Sequence, residues 1–161
     1  MKSPNVVLRD VEPGDLPHFF EHQRDPVAVA MVAFRSRDRA EFDVHWAKIL
    51  ADENCFTKTI VADGQVAGSI ASFLRDGERE IGYWIDRALW GRGIATEALS
   101  LFLRLEQRRP LCAGVAPHNT ASLRVLQKCG FSLSKSLPDQ EPGAAGKSHI
   151  ILTLTQRYTD R

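Results

Sequence analysis

The chain has 161 residues, of which 43% are hydrophobic and 25% are charged, and its formal net charge is +1. This length and composition predict one soluble globular domain over residues 1–161 with a substantial apolar core. So small a net charge gives no general attraction to nucleic acid, and no apolar run reaches the roughly 20 residues of a membrane span. We therefore expect a cytoplasmic protein without a membrane partner or a specific nucleic-acid partner.

The order of the predicted elements is that of a mixed α/β domain. Asp15, Ser36 and Asn119 can cap three of its helices, Gly130 suits the end of the last helix, and residues 27–35 are not assigned. Hydrophobic periodicity predicts strands over residues 6–11, 57–62, 65–74, 79–85, 111–115, 132–137 and 149–155, and helices over residues 16–23, 37–51, 94–107 and 120–129.

The middle of the chain predicts an antiparallel meander followed by a βαβ unit. The Asp-Gly pair at residues 63–64 is a strong hairpin signal, and the pair at residues 76–77 predicts a second, looser turn. The third strand of the meander leads into a glycine-containing turn and an amphipathic helix. Pro110 then ends this helix before residues 111–115, which have the short apolar pattern of a buried parallel strand.

Neither the cysteines nor the histidines form a recognisable ligand motif. Cys55, Cys112 and Cys129 are widely spaced among apolar residues, which predicts reduced thiols in the core. His18 and His22 are four residues apart on a predicted helix, but no third ligand or glutamate-bearing motif accompanies them. We therefore predict no metal site, and we interpret the two histidines as part of a solvated helix face.

The turn at residues 90–95, Trp-Gly-Arg-Gly-Ile-Ala, lies directly between a strand and a helix. Glycines let the backbone approach a ligand closely, and the start of a helix presents N–H donors with partial positive charge, so the turn suits a pyrophosphate. A Walker A loop would need a Gly-Lys-Ser or Gly-Lys-Thr ending, which this turn lacks. A dinucleotide fingerprint would need a small residue in place of Thr96 and an acid near residues 111–115, where none occurs. An ordinary strand-to-helix turn stays open as an alternative.

Two motifs in order resemble the acetyl-CoA-binding core of the GNAT N-acetyltransferases. The GNAT signature is Gln/Arg-x-x-Gly-x-Gly/Ala, and residues 90–95 match it as Trp90-x-x-Gly93-x-Ala95, with tryptophan as the departure. This variant is similar to the branch that acetylates the N-termini of ribosomal proteins. Residues 119–131 resemble the Asn-x-x-Ser-x-x-x-x-x-Lys-x-Gly-Phe element of the same branch.

The resemblance implies an α/β (α+β) domain of the GNAT fold. Such a domain has about four helices and a mixed, mostly antiparallel sheet of six to seven strands, which splays at a cofactor cleft. Acetyl-CoA is implied as the co-substrate, without a metal. The side chain of Arg92 is either a phosphate contact or a solvated surface group. The implied cofactor-binding residues are Tyr83, Trp84, Ile85, Arg92, Gly93, Ile94, Ala95, Thr96, Asn119 and Ser122.

The resemblance also implies two catalytic residues. Glu80 begins the cofactor strand, where many GNAT enzymes carry a glutamate base, and Asp86 is a weaker rival. Many members protonate the leaving thiolate with a tyrosine on the helix after the second motif, but this chain has only Tyr83 and Tyr158. Ser122 matches the serine of the second motif and is the implied thiolate donor. The alternatives are an exposed strand carboxylate for Glu80 and an ordinary helix serine for Ser122.

The expected function is the transfer of an acetyl group to a primary amine by direct attack in a ternary complex. The amine is a protein N-terminus or a small molecule, and the acceptor side is implied at residues 19–34, Trp46 and residues 138–147. A ping-pong route is disfavoured because no cysteine of either motif has a cleft position. Two alternatives stay open, namely a non-catalytic acyl-CoA-binding regulatory domain and a dinucleotide-dependent oxidoreductase. The chain is expected to be a monomer or a homodimer.

Overall fold

The computed structural model describes residues 3–31, 36–137 and 149–157. Two short 3-10 helices occur at Pro13–Asp15 and Arg87–Leu89. The strands are β1 (Val6–Arg9), β2 (Phe56–Ala62), β3 (Gln65–Arg75), β4 (Glu78–Ile85), β5 (Leu111–Val115), β6 (Ser132–Leu137) and β7 (His149–Leu154). The α-helices are α1 (Leu16–Arg24), α2 (Pro26–Met31), α3 (Arg39–Ala51), α4 (Ile94–Leu105) and α5 (Thr120–Lys128).

The strands form one sheet in the order β1-β2-β3-β4-β5-β7-β6. Every neighbouring pair is antiparallel except β4 and β5, so the expected mixed and mostly antiparallel sheet is confirmed. The described residues contain five α-helices rather than about four. The additional helix is α2, whose six residues are too few to show a helical period in the sequence.

Both Asp-Gly hairpins have the same tight turn. The φ angles are 49° and 81° at Asp63 and Gly64, and 52° and 79° at Asp76 and Gly77. Positive φ at both central residues is the type I′ geometry, which matches the twist of the flanking strands. The second turn is therefore not looser than the first, and it holds β3 and β4 in an unbroken register.

The sheet is covered by helices on both faces. Ile81 and Ile85 of β4 belong to the main core, which contains α4 and α5. Trp84 lies on the other face of the strand, and its indole N–H donates to the carbonyl of His22 in α1 at 3.1 Å. A second cluster on that side joins α1 to α3. We call these two sides the α4 face and the α1 face.

The cap of α3 differs from the predicted one, whereas the cap of α5 agrees with it. Helix α3 begins at Arg39 and not at residue 37, because Asp38 replaces Ser36 as its cap and accepts the Glu41 N–H at 2.8 Å. Asn119 caps α5 as predicted, with its side-chain oxygen 3.2 Å from the Ser122 nitrogen. Helix α5 ends at Lys128, and Gly130, two residues later, has the positive φ of 98° that suits the end of a helix.

Asp15 does not cap α1 through its side chain, although it stands at the predicted position. Its carboxylate is buried, accepts two bonds from Arg9 at 2.7 and 2.8 Å, and accepts a third from Thr59 at 2.7 Å. Burial acts to raise the pKa of Asp15, but the Arg9 and other hydrogen bonds outweigh it and lower the pKa to about 2. The carboxylate therefore links β1, β2 and the start of α1.

The parallel strands β4 and β5 share a single paired position, at which Glu80 lies opposite Cys112. Strand β4 continues to Ile85 and β5 continues to Val115, so the two strands separate beyond that position. We call this opening in the sheet the split. No helix among the described residues is long and apolar enough to cross a membrane.

Candidate active site

A cavity of about 1210 Å³ passes through the split from one face of the sheet to the other. From the α4 face it is lined by Tyr83, Asn119 and Ser122, and from the α1 face by His22, Glu80 and Trp84. The cavity therefore brings β4 and the second motif of the sequence together with α1. Ligand sites commonly occupy such a concave opening at the ends of parallel strands.

The main chain of Tyr83 points into the split. The Asp86 N–H donates toward β3, to the Ala67 carbonyl at 2.8 Å. Because main-chain groups alternate in direction along an antiparallel strand, the N–H and C=O groups of Tyr83 and Ile85 point away from β3. The Tyr83 groups therefore form an open edge to which an extended ligand could bind.

The main-chain N–H and C=O groups of Trp84 point in the direction opposite to those of Tyr83 and Ile85. Its carbonyl faces β3 so closely that a Cβ atom added at Gly68 would lie 1.9 Å from the oxygen. The main chain of Trp84 therefore belongs to the sheet, and its side chain belongs to the α1 face. Of the implied cofactor residues on β4, Tyr83 has the main-chain groups that are best placed to bind a ligand.

Trp90 ties the glycine-containing turn to the end of β4. Its indole N–H donates to the Ile85 carbonyl at 3.0 Å. The residue that departs from the general GNAT signature thus has a structural partner. The Ile85 carbonyl is already engaged, so of these two residues Tyr83 is the one whose N–H and C=O groups both remain directed into the split.

The turn itself has the geometry of an anion site. Gly91 and Gly93 have φ angles of 80° and 78°, and the positions of their missing Cβ atoms face open space. Gly93 is the N-cap of α4, and its carbonyl accepts the Glu97 N–H at 3.1 Å. Helix geometry leaves the preceding N–H groups, those of Ile94, Ala95 and Thr96, without intrahelical partners. Arg92 is exposed beside them.

The hydroxyl groups of Tyr83 and Ser122 meet on the α4 face, 2.7 Å apart. Burial raises the pKa of Tyr83 to about 12, against the effect of the Ser122 hydrogen bond, so the phenol stays protonated at neutral pH. The phenol can donate to Ser122 and leave the serine proton free to turn toward the cavity. The sequence did not predict this role for the side chain of Tyr83. The inward-facing neighbours Ile81 and Ile85 were the signal that its side chain lies on the α4 face.

Glu80 enters the cavity from the α1 face, at the closed end of the split. Its Oε2 atom is 3.1 Å from Nε of Arg75, and 18% of its side chain is exposed. Glu80 and the Tyr83–Ser122 pair therefore approach the split from opposite faces of the sheet. A ligand group held in the split would have Glu80 on one side and the Tyr83–Ser122 pair on the other.

Two of the three cysteines line the cavity, whereas the sequence predicted that all three are core thiols. Cys112 lies opposite Glu80 on β5 and lines the cavity, with its Sγ 3.8 Å from the Thr153 hydroxyl. Cys129 is buried, and burial raises its pKa to about 11. Cys55 also lines the cavity, so two of the three cysteines are not simply core thiols.

The two histidines of α1 do not share a solvated face. His18 is exposed, whereas His22 is buried and lines the cavity. The Nε2 atom of His22 lies 3.7 Å from Oδ2 of Asp86. Residues 3–31, 36–137 and 149–157 contain no group of three His, Cys, Asp or Glu side chains placed to bind a metal.

Helix α2 spans the distance from the end of β4 to the loop that follows β5. Asp25, just before the helix, accepts from Arg87 at 2.7 Å, close to the end of β4. Near the other end, the Ala30 carbonyl lies 2.8 Å from Nε2 of His118, just before α5. The implied acceptor side is thus covered in part by α1 and α2. Trp46, also implied on this side, lies on α3, and residues 32–34 and 138–147 lie outside the described residues.

The Gly-Lys-Ser sequence of the chain lies at residues 146–148, also outside the described residues. Glu141 stands where the first glycine of the Walker A pattern would be, so that pattern is incomplete here as well.

Comparisons with known proteins agree with this geometry. Residues 5–132 match the family model described as an acetyltransferase (GNAT) domain. The probable N-acetyltransferase YjcK of Bacillus subtilis (strain 168) is 48% identical over 56 residues, which are 32% of this chain and 30% of that protein. The match to this curated relative therefore spans about a third of its length.

Three solved structures illustrate the similarity in fold. A GNAT-family acetyltransferase from Bacillus anthracis is 18% identical, with a TM-score of 0.79 and 96% of each chain covered. Spermidine N-acetyltransferase from Vibrio cholerae, in complex with CoA and spermine, is 15% identical with a TM-score of 0.82, over 94% of this chain and 95% of that chain. The ribosomal L7/L12 alpha-N-protein acetyltransferase RimL, in complex with coenzyme A, is 18% identical with a TM-score of 0.77, over 93% of each chain.

Proposed function

The chain belongs to the GNAT acetyltransferase family, and on that premise we propose that it transfers an acetyl group from acetyl-CoA to a primary amine. The amine attacks directly, in a ternary complex formed within one domain. The observation that supports this most strongly is the continuity of the cavity. It joins the open edge of β4 and the Tyr83–Ser122 pair to the residues that line it on the α1 face, and the glycine-containing turn follows shortly after β4.

The split and the turn would hold acetyl-CoA. Its pyrophosphate would accept hydrogen bonds from the main chain of Gly93, Ile94, Ala95 and Thr96, where the dipole of α4 favours negative charge. Arg92 would add a charge-assisted contact. The pantetheine arm would pair with the main chain of Tyr83 as a partial extra strand. When it is bound, the cofactor supplies an activated acetyl thioester.

Glu80 would serve the amine side of the reaction. A protonated amine has no lone pair, so a proton must leave before attack, and Glu80 reaches the closed end of the split from the α1 face. At pH 7 the removal of that proton costs about 4.6 kcal/mol for a lysine-like amine but only about 1 kcal/mol for an α-amine. The need for a base therefore depends on the acceptor.

Ser122 would serve the thiolate side. When the new amide bond forms and the carbon–sulfur bond breaks, the electron pair goes to sulfur, and a nearby proton donor stabilises it. Ser122 lies on the α4 face and is oriented by Tyr83 through the 2.7 Å contact. Tyr83 thus acts as a positioning residue for the serine proton. Attack and departure would then take place on opposite faces of the sheet.

Direct attack is preferred to a ping-pong route even though Cys112 lines the cavity. A covalent route needs a thiolate with a base or cation beside it. The hydrogen-bonding contact that the structure shows for the Cys112 thiol is with Thr153, whose neutral hydroxyl lies 3.8 Å away.

Ligand competition tests the donor assignment. We expect titration calorimetry to show saturable binding of acetyl-CoA, displacement by CoA and no displacement by NAD. Displacement by NAD and not by CoA would contradict the proposal and favour a dinucleotide enzyme.

A further inference from the structure

The floor of the cavity on the α1 face has a gap in its side chains. Three cross-strand pairs of β3 and β4 line the cavity there, namely Ser69 with Trp84, Ala71 with Gly82, and Phe73 with Glu80. The two residues of such a pair lie on the same face of the sheet. The outer pairs each carry an aromatic ring, whereas the middle pair carries a single methyl group. We call the surface over Ala71 and Gly82 the depression.

The side chains that surround the depression are largely apolar. A Cβ atom added at Gly82 would lie 3.7 Å from Cε1 of Phe73, so the Phe73 ring borders the depression at ordinary contact distance. On the other side stands Trp84, whose indole N–H already donates to the main chain of α1. Trp46 and Ile49 of α3 line the cavity on the same face. A group that lies in the depression therefore contacts mainly carbon atoms.

The depression adjoins the place where the acetyl group would react. Gly82 directly precedes Tyr83, whose hydroxyl meets that of Ser122 and whose main chain faces the split. An amine that enters the split from the α1 face to reach the thioester carbon therefore passes beside Gly82. Glu80, the proposed base, is two positions from Gly82 on the same face, roughly 7 Å away. The carbon that carries the amine thus lies next to the depression.

The charges beside the depression favour an uncharged group in it. Nε of Arg75 is 3.1 Å from the Glu80 carboxylate, and the Arg75 guanidinium lies 5.4 Å from the centre of the Phe73 ring. A second cationic group of the acceptor would therefore approach a guanidinium of the same charge across that ring. An apolar group has no such cost, and it gains free energy by leaving water.

We propose that the depression binds an apolar group of the acceptor, attached within one or two carbons of the reacting amine. Ala71 and Gly82 then determine specificity, because they leave the space that the group occupies. The inference rests on the proposed function and narrows the acceptor to apolar amines, such as the α-amine of an apolar amino-acid residue. A group of this kind would contact the ring of Phe73 while its amine faces the split.

Amino-acid amides test this proposal on the wild type. Glycinamide, alaninamide, leucinamide and phenylalaninamide all present an α-amine, so the cost of deprotonation is similar throughout the series. Thiol release gives kcat/KM for each. We expect leucinamide or phenylalaninamide to exceed glycinamide at least about tenfold, roughly the effect of burying one apolar side chain. Asparaginamide, which is close to leucinamide in shape but polar, should show no such gain. Faster turnover of spermidine than of every amide would overturn the proposal.

Two variants and a control assign the gain to the depression. Ala71→Val fills the space without altering the strand that carries Tyr83, so the ratio of kcat/KM for phenylalaninamide to that for glycinamide should fall toward one. Phe73→Leu removes the ring and should lower kcat/KM more for phenylalaninamide than for leucinamide. Ala47→Val makes the same change as Ala71→Val at an exposed position of α3 outside the cavity, and its ratio should equal that of the wild type. Melting temperature and CoA affinity verify the fold of each variant.

The wild-type series is decisive even if a variant does not fold. Equal turnover of all the amides by the wild type would overturn an apolar acceptor site while leaving acetyl transfer intact. A folded Ala71→Val variant with the wild-type ratio would overturn the role of the depression. If no amine is acetylated, the proposed function itself fails.

Discussion

The hydroxyl oxygens of Tyr83 and Ser122 lie 2.7 Å apart and connect β4 to α5 beside the split in the sheet. The contact brings a tyrosine hydroxyl to α5, the helix of the second motif, which carries no tyrosine of its own. The phenol beside Ser122 is thus supplied by β4 and not by the helix that carries the serine.

Removal of the serine hydroxyl should slow the chemical step. We expect Ser122→Ala to lower kcat by about 10²-fold, the lower end of the range for general acid catalysis, with little change in CoA affinity. Tyr83→Phe should cost less, about tenfold, because it only orients the serine. The double variant should lose no more than Ser122→Ala, since the two residues act as one unit. Full activity of Ser122→Ala in a thiol-release assay would remove it from the mechanism.

Gly93 is needed for the backbone conformation of the turn. Gly93→Val should weaken CoA binding at least about tenfold, because a β-branched residue at a φ of 78° strains the turn that presents the N–H donors. Gly64→Val is the matched control, with a φ of 81° and equally open space but a position in the β2–β3 hairpin. Both variants should lose similar stability. Calorimetric CoA affinity should fall only for Gly93→Val, and equal affinities would contradict the anion site.

The role of Glu80 should depend on the acceptor. Glu80→Gln should lower kcat/KM more for a lysine-like amine than for an α-amine, because the deprotonation costs at pH 7 are about 4.6 and about 1 kcal/mol. Glu78→Gln, two residues earlier on the same face of β4, is the control and should have little effect. An identical loss with both amines would show that Glu80 acts on binding or structure and not as the base.

The Asp15 carboxylate should make the fold sensitive to acid. Its pKa is about 2 in the folded chain against an ordinary value of 3.8, so its contribution is complete above about pH 4 and is lost as pH falls toward 2. The shift corresponds to about 2 kcal/mol. Urea unfolding should therefore show Asp15→Asn less stable than the wild type at pH 7, with the gap narrowing below pH 4. Asp43→Asn, which alters an exposed carboxylate on α3, should show no such dependence.

The sequence was sufficient for features that depend on neighbours along the chain. Both Asp-Gly hairpins, the cap at Asn119 and the turn at residues 90–95 follow from local backbone chemistry, and the structure confirms their positions. The register that separates β4 from β5 depends on strands far apart in the chain. The family resemblance predicted that separation, and periodicity alone did not.

The features that the sequence missed depend on which face a side chain occupies. Asp15 has the residue type of a helix cap, but Arg9 and Thr59 draw its carboxylate into the core. His22 is four residues from the exposed His18, and only the packing of α1 against Trp84 shows that it is buried. In these cases tertiary contacts outweigh local preference.

Acetyl transfer itself is tested most directly by the reaction products. The full chain is incubated with acetyl-CoA and, in turn, peptides, polyamines, aminoglycosides and amino acids, while free thiol is measured and each amine is analysed by mass spectrometry. We expect at least one amine to gain one acetyl group in an amount equal to the thiol released. Saturable binding of acetyl-CoA without release of thiol in the presence of any of these amines would contradict an enzymatic role. That result would favour a non-catalytic acyl-CoA-binding domain.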